Sequence, residues 1–434
     1  MNKRILIVPL LFAAVLAGAE AQTVSGRFVT SLLGWERQDD AAGNSTGHLR
    51  GYEQMQLSLS AGDFSFSTSM LGSTDFGEQM ENDPQLRLFN ASLLWKNIGG
   101  LADLKLGRQA IFGGVNYGTI DGAHLRLRPA DGVEVIGYAG GLTPPSQRTD
   151  FFHNLDHNWQ AGGHVLLYLI PDVKLGLSYM NRHRETTPFQ ALRLDGQLAP
   201  FTTTVDYGSR ANQYGSLDAA YTRGDLWLFG RVDYDFNFER MSRAELAATY
   251  QVSPTLGLSL DLAHREPTIA WNSYFALLES SANQEAVLGI DYRVLPRLTL
   301  HARVSTVMYD DESAARVSLG ASNKYASIMY TKDVSYDGDL DAFNLNLTYP
   351  VFDGMLVPHI GAVYSSYALA ENLEKTSTWA AVAGAMVRPW PVLSFDVQGQ
   401  YMTNKIYKSD MRAFARANFW FSEVFGAAKQ EGRP

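Results

Sequence analysis

Residues 255 to 265 read TLGLSLDLAHR, with leucine at 256, 258, 260 and 262 and with Gly257, Ser259, Asp261 and Ala263 between them. A period of two puts these sets on opposite faces of a strand, one face dry and the other wet enough to receive a carboxylate. The alternation recurs. In VLSFDVQGQYM, Leu393, Phe395, Val397 and Tyr401 alternate with Ser394, Asp396, Gln398 and Gln400. In QEAVLGIDYRV, Ala286, Leu288, Ile290 and Tyr292 alternate with Glu285, Gly289, Asp291 and Arg293, and LWLFGRVDYDF sets Leu226, Leu228, Val232, Tyr234 and Phe236 against Arg231, Asp233 and Asp235.

A soluble β-sandwich also alternates, so strand length decides. Many of these runs exceed the about 5 to 6 residues usual in soluble domains and match the about 9 to 11 that a tilted strand needs to cross a bilayer. Aromatic residues stand near their ends at Trp35, Trp95, Tyr138, Tyr168, Tyr179, Tyr250, Tyr309, Tyr349, Tyr364, Tyr401 and Trp420, as expected of interfacial girdles. Connections alternate between tight (AGD at 61–63, RPADG at 128–132, TRGDL at 222–226) and long (36–47, 72–84, 143–156, 184–211, 265–282, 368–376). Short turns at one end and long loops at the other describe an outer-membrane barrel.

No later segment reaches 18 consecutive apolar residues, so the expectation is all-β: a single transmembrane antiparallel β-barrel of about 22 strands, within a range of roughly 18 to 24, without a plug domain. Residues 1–21 read as a cleaved signal peptide, with a basic MNKR, an apolar ILIVPLLFAAVLAG and a small-residue AEA. The barrel is expected over 22–421 and a C-terminal tail over 422–434. This places the chain in the outer membrane of a Gram-negative bacterium, in contact with lipid and lipopolysaccharide.

Composition then removes chemistry. With 0 cysteines there is no disulfide, thiolate or covalent haem attachment within the chain, and a formal net charge of -9 disfavours nucleic acid as a partner. No G-x-S-x-G, H-E-x-x-H or Walker sequence occurs, so an enzyme is not expected, although barrels with rim-active sites set a less favoured alternative. No cofactor and no metal site is expected. HNLDH, with His153, Asp156 and His157, reads as a solvated loop, and DVSYDGDLD, with Asp333, Asp337, Asp339 and Asp341, lacks the Glu that would complete a calcium loop. The latter hairpin is a candidate for bridging lipopolysaccharide through divalent ions.

One segment carries a resemblance. LKLGRQAIFGGVNYGTIDGAHLRLRP, residues 104 to 129, resembles large Gram-negative porins and export channels, including the alginate-export type, in its LGRQ strand end, glycine-rich loop and strand opening on DGA. The resemblance implies an outer-membrane channel. Such barrels usually finish on an aromatic residue, whereas here ARANFWF reaches Phe421 and more chain follows. A wide barrel without a plug also resembles, more distantly, the sheath barrels of porin–cytochrome conduits, which implies a multihaem cytochrome in the lumen as an alternative partner.

A barrel of this size needs something in its lumen. The inward candidates are residues 110–120 and residues 184–211, the second offering Arg193, Asp195, Asp206 and Arg210 as constriction residues. Alternation gives the pore-lining candidates Arg126, Arg128, Arg231, Arg293, His301, Arg303, Arg316, Arg412 and Arg416. Opposed to them are Asp218, Asp233, Asp235, Glu245, Asp261, Asp291 and Asp396. Mixed signs favour neither anions nor cations, and many of these groups are expected simply to pair across strands. The favoured reading is a porin-like channel for small polar or charged solutes.

Overall fold

Only two backbone solutions survive in hydrocarbon, because each unpaired N–H or C=O there costs several kcal/mol. This chain takes the closed-sheet solution. The computed structural model describes residues 22–39, 45–77, 83–185, 188–194, 199–205, 209–267, 281–310, 312–335, 338–368 and 373–425. The expected signal segment lies outside them, as does 426–434.

The strands are β1 (Gln22–Asp39), β2 (Ser45–Ala61), β3 (Phe64–Asp75), β4 (Gln85–Ile98), β5 (Ala102–Gly113), β6 (Asn116–Ala130), β7 (Val133–Leu142) and β8 (Trp159–Ile170). They continue with β9 (Val173–Glu185), β10 (Phe189–Leu194), β11 (Pro200–Val205), β12 (Ser209–Arg223), β13 (Leu226–Asp235), β14 (Arg240–Ser253), β15 (Leu256–Arg265) and β16 (Asn283–Leu295). The last are β17 (Leu298–Met308), β18 (Ser313–Ser322), β19 (Ala326–Ser335), β20 (Gly338–Thr348), β21 (Leu356–Tyr367), β22 (Thr376–Trp390), β23 (Leu393–Thr403) and β24 (Tyr407–Phe425).

All but β10 and β11 form one 22-stranded sheet. It closes where β1 pairs antiparallel with β24, from Gln22↔Phe425 to Asp39↔Tyr407, so the last strand runs four residues beyond the expected end at Phe421. Closure leaves no edge. Strands β10 and β11 make a separate two-stranded sheet inside the expected long loop 184–211. Another difference concerns β5 and β6: the expected loop over 110–120 is strand almost to its tip, since the two pair as far as Gly113↔Asn116.

The outer face follows the alternation. Leu258 and Leu262 of β15, Leu288 and Ile290 of β16, and Leu177 and Tyr179 of β9 are all exposed, an arrangement stable only against hydrocarbon. Asp261 lies on the reverse face, in register with Val287 and Ala247. Connections at one end stay tight, at 62–63, 131–132, 171–172, 224–225, 254–255, 296–297 and 391–392. Several of the aromatics expected in the girdles face inward instead, among them Tyr168, which lies under Lys174. Tyr138 is buried. Trp35 stands opposite Arg412 and stacks on His48 at 4.8 Å, and Trp420 shares the face of Arg416 and Asn418 and lies under Arg388.

Candidate functional site

The lumen is built around a departure from the cylinder. Strand β4 pairs with β5 only as far as Ala91↔Arg108, although β4 itself starts at Gln85. On the other side β6 meets β7 only from Ile120↔Leu142. Residues 109–118 therefore have no lateral backbone partner in the wall except within their own hairpin. At the bend Gly107 adopts φ +113°, and a Cβ there would strike the Ala91 carbonyl oxygen, so only glycine fits.

The freed hairpin crosses the inside and rests on β7, β8 and β9. Val115 donates its backbone N–H to Ser178 Oγ (2.9 Å), Asn116 Nδ2 donates to the Gly163 carbonyl (2.9 Å), and the Tyr138 hydroxyl donates to Asn116 Oδ1 (2.8 Å). Gln160 Nε2 reaches Tyr138 Oη (2.8 Å), and Arg182 Nε reaches Gln160 Oε1 (2.8 Å) while its guanidinium lies 4.0 Å from the Tyr117 ring centroid. Ser178 and Met180 alternate with lipid-facing Leu177 and Tyr179, so this is the luminal face. Ile111, Ile120 and Tyr138 form a small buried cluster beneath the hairpin, and Phe112 and Tyr117 on its other face stay exposed to solvent. At the tip Gly114 takes φ +57°, and a side chain there would collide with Ser178.

The bend is fixed by the two ends of the LGRQ and DGA segments. Arg108 and Asp121 stand opposite each other and are fully buried, joined by a bidentate pair with Nε–Oδ1 at 2.7 Å and Nη2–Oδ2 at 2.8 Å. The remaining guanidinium hydrogens go to the carbonyls of Leu88 (3.1 Å), Asp150 (2.5 Å) and Arg148, and the Phe151 ring lies 4.9 Å away. The loop 143–158 thus fills the opening left when the hairpin turned inward. Its Gln147 carbonyl accepts the Leu88 N–H (2.7 Å) where β5 would otherwise have paired. Both segments were visible in the sequence, but neither Arg108 nor Asp121, nor the polar set Asn116, Gln160, Ser178 and Arg182, was among the expected site residues. The available signal was an arginine and an aspartate bracketing a glycine-rich stretch.

Most nominated wall residues sit on the luminal face and are already matched. Arg126 pairs with Glu134 (3.3 Å), Arg128 with Asp103 (2.5 Å), Arg231 with Asp233 (2.7 Å) and Arg316 with Asp333 (2.5 Å). Arg412 shares Asp410 with Arg37, at 2.8 and 3.0 Å, and Arg243 and Arg265 flank Glu245. Asp396 and Arg416 are register partners that form no ion pair; Arg416 lies over Phe414 instead. Asp261, Arg293 and Arg303 make no ion pair among the described residues.

Of the loop candidates, Arg193 is exposed on the self-paired β10–β11 hairpin, and the backbone of Arg210 pairs with Arg184 at the start of β12. Asp195 and Asp206 lie outside the described residues. The acidic hairpin does not gather its carboxylates. Asp333 turns to the luminal Arg316, whereas Asp339 and Asp341 face outward and are bridged by Lys332 and Lys375 at 3.1 to 3.6 Å. Asp337 lies outside the described residues. Among the described residues no group of three or more His, Asp or Glu is placed to hold a metal ion, and His153, Asp156 and His157 are exposed.

His301 holds Asp291 Oδ1 at Nδ1 (2.6 Å) and Ser322 Oγ at Nε2 (2.7 Å). The atom order is that of a nucleophilic triad. Registry accounts for it: Asp291 is opposite His301 and Ser322 is one step along from its other partner, and the Asp291 side chain is 49% exposed, open to water rather than buried as an orienting carboxylate would be.

No family model matches the chain and no curated protein sequence does. Among solved structures it is similar to OccAB4 of Acinetobacter baumannii, at 10% identity and a TM-score of 0.45, covering 93% of this chain and 98% of that one. It is also similar to OccK3 (OpdO) of Pseudomonas aeruginosa, at 10% identity and a TM-score of 0.43, covering 95% and 99%. An E. coli P pilus tip assembly intermediate of PapC, PapD, PapK and PapG aligns at 12% identity and a TM-score of 0.53, covering 92% of this chain and 61% of that one. At such identities what is shared is the fold, a closed antiparallel β-barrel.

Proposed function

We propose that the chain is a passive channel of a Gram-negative outer membrane, carrying small polar or charged solutes through a lumen narrowed by the β5–β6 hairpin. The observation that carries this reading is a polar inner wall whose charges are matched to one another rather than to a buried plug. Closing 22 strands at about 4.8 Å spacing and about 40° tilt gives a bore of roughly 40 Å between backbones. The hairpin lies flat on one side and takes about 10 Å of it, the distance between stacked sheets. The remaining cross-section is wide enough for hydrated solutes.

The purified protein in a planar bilayer should give stepwise conductance, and replacing residues 109–120 by a short glycine turn should enlarge each step. Silent bilayers would remove the channel reading. The same arithmetic supports a second reading, a sleeve around a partner such as a multihaem cytochrome, because one hairpin leaves most of the bore free. Co-purification of a haem protein together with silent bilayers is the outcome that favours the sleeve. Export behind a cleaved leader belongs to either reading, and N-terminal sequencing of membrane-extracted protein beginning near Gln22 would support it.

A further inference from the structure

Pairing removes most of the mixed charge from the wall, and part of what is left over gathers in one place. At the short-turn end, between β16 and β19, a cavity of about 590 Å³ is lined by Arg293, Arg297, Thr299, Ser322 and Lys324. Arg293 and Thr299 are register partners, as are Thr299 and Ser322, and they share a face with Asp291 and His301. Lipid-facing Tyr292 and Leu300 alternate with them, so the cavity opens to the lumen rather than to the bilayer. Arg297 and Lys324 come from the adjacent turns at 296–297 and 323–325 and converge on the same space.

None of the three cations forms an ion pair among the described residues; Lys324 only lies over the Tyr325 ring at 5.3 Å. The one carboxylate nearby on this face, Asp291, is engaged by His301 at 2.6 Å, and His301 in turn fixes the Ser322 hydroxyl at 2.7 Å. Two guanidinium forks, an ammonium and the Thr299 hydroxyl around a small cavity present convergent donors and no free acceptor charge. That is the complement of a carboxylate or phosphate group. Like charges brought together without counter-charges repel, and a bound anion relieves the repulsion.

We propose that this pocket binds the oxyanion group of a small solute at the short-turn mouth of the barrel and biases permeation toward anions. The bias on permeation rests on the channel reading; the binding does not. Inorganic phosphate titrated calorimetrically into detergent-solubilised full-length protein should bind, and Arg293→Gln combined with Arg297→Gln and Lys324→Gln should weaken binding by about tenfold or more, since charge-assisted contacts are the stronger ones. In zwitterionic bilayers under a salt gradient, the wild type should favour chloride over potassium and the triple variant should lose that preference.

Equal phosphate binding by the wild type and a folded triple variant overturns the proposal. Normal conductance with no such difference removes the pocket and leaves the channel. Silent bilayers with phosphate binding lost in the variant remove the channel and keep the pocket. Binding of a short-chain phosphatidylglycerol without binding of inorganic phosphate would make the ligand a lipid headgroup and overturn the solute assignment.

Discussion

Arg108 and Asp121 form the pair on which the inner architecture turns. Both are fully buried, and each hydrogen of the guanidinium fork that the pair leaves free is taken by a carbonyl of β4 or of the loop 143–158. Removing one member of a buried pair strands the other, which costs about 3 to 5 kcal/mol. Asp121→Asn should therefore lower stability by that order in denaturant titrations of the detergent-solubilised protein, whereas Arg128→Gln, whose exposed pair with Asp103 is worth about 0 to 1 kcal/mol, should change it little. Gly114 carries a different burden. A valine there would be strained at φ +57° and would collide with Ser178, so Gly114→Val should lift the tip from the wall. The expected readout is a smaller conductance step with the barrel still folded, because the displaced tip would stand further into the bore, and an unchanged step would dissociate the tip from the pore.

At the scale of the strand, alternation was the legible signal. It put Asp261, Asp291, Arg303, Arg316 and Arg412 on the face opposite their apolar neighbours, because the period of two is dictated by the pleat and needs no knowledge of the partner strand. What it did not reveal were the matches, since Arg316 meets Asp333 and Arg412 meets Asp410 only once registry is set. Trp35 and Tyr138 were placed in the girdles by residue type, yet their parity sends them inward, where they have stacking or hydrogen-bonding partners. The bend at Gly107 was invisible for a further reason: a positive φ is permitted by glycine, not announced by it. On the outer face the cost of error is known. Leu288→Arg should destabilise by about 2 to 4 kcal/mol if it lies near the midplane, while Asp261→Asn on the same stretch of wall should stay within about 0.5 kcal/mol. Deleting residues 186–209, whose strands β10 and β11 pair with each other, should alter conductance less than replacing 109–120.

For the whole molecule, closure follows from the absence of water to satisfy an edge and the strand number from the alternation of tight and long connections, so the architecture was readable in the sequence. The contents of the bore were not, because they depend on where one hairpin leaves the wall and on which charges remain after pairing. The central claim is that successive residues of each strand meet hydrocarbon and water in turn. The chain contains 0 cysteines, which makes a direct measurement clean. Single cysteines at Leu258, Ser259, Leu260 and Asp261, in protein reconstituted into lipid vesicles, should be treated with a charged, membrane-impermeant thiol reagent. Modification at 259 and 261 with protection at 258 and 260 is the predicted result. Equal modification at all four positions, or modification reversed between the two sets, would contradict it.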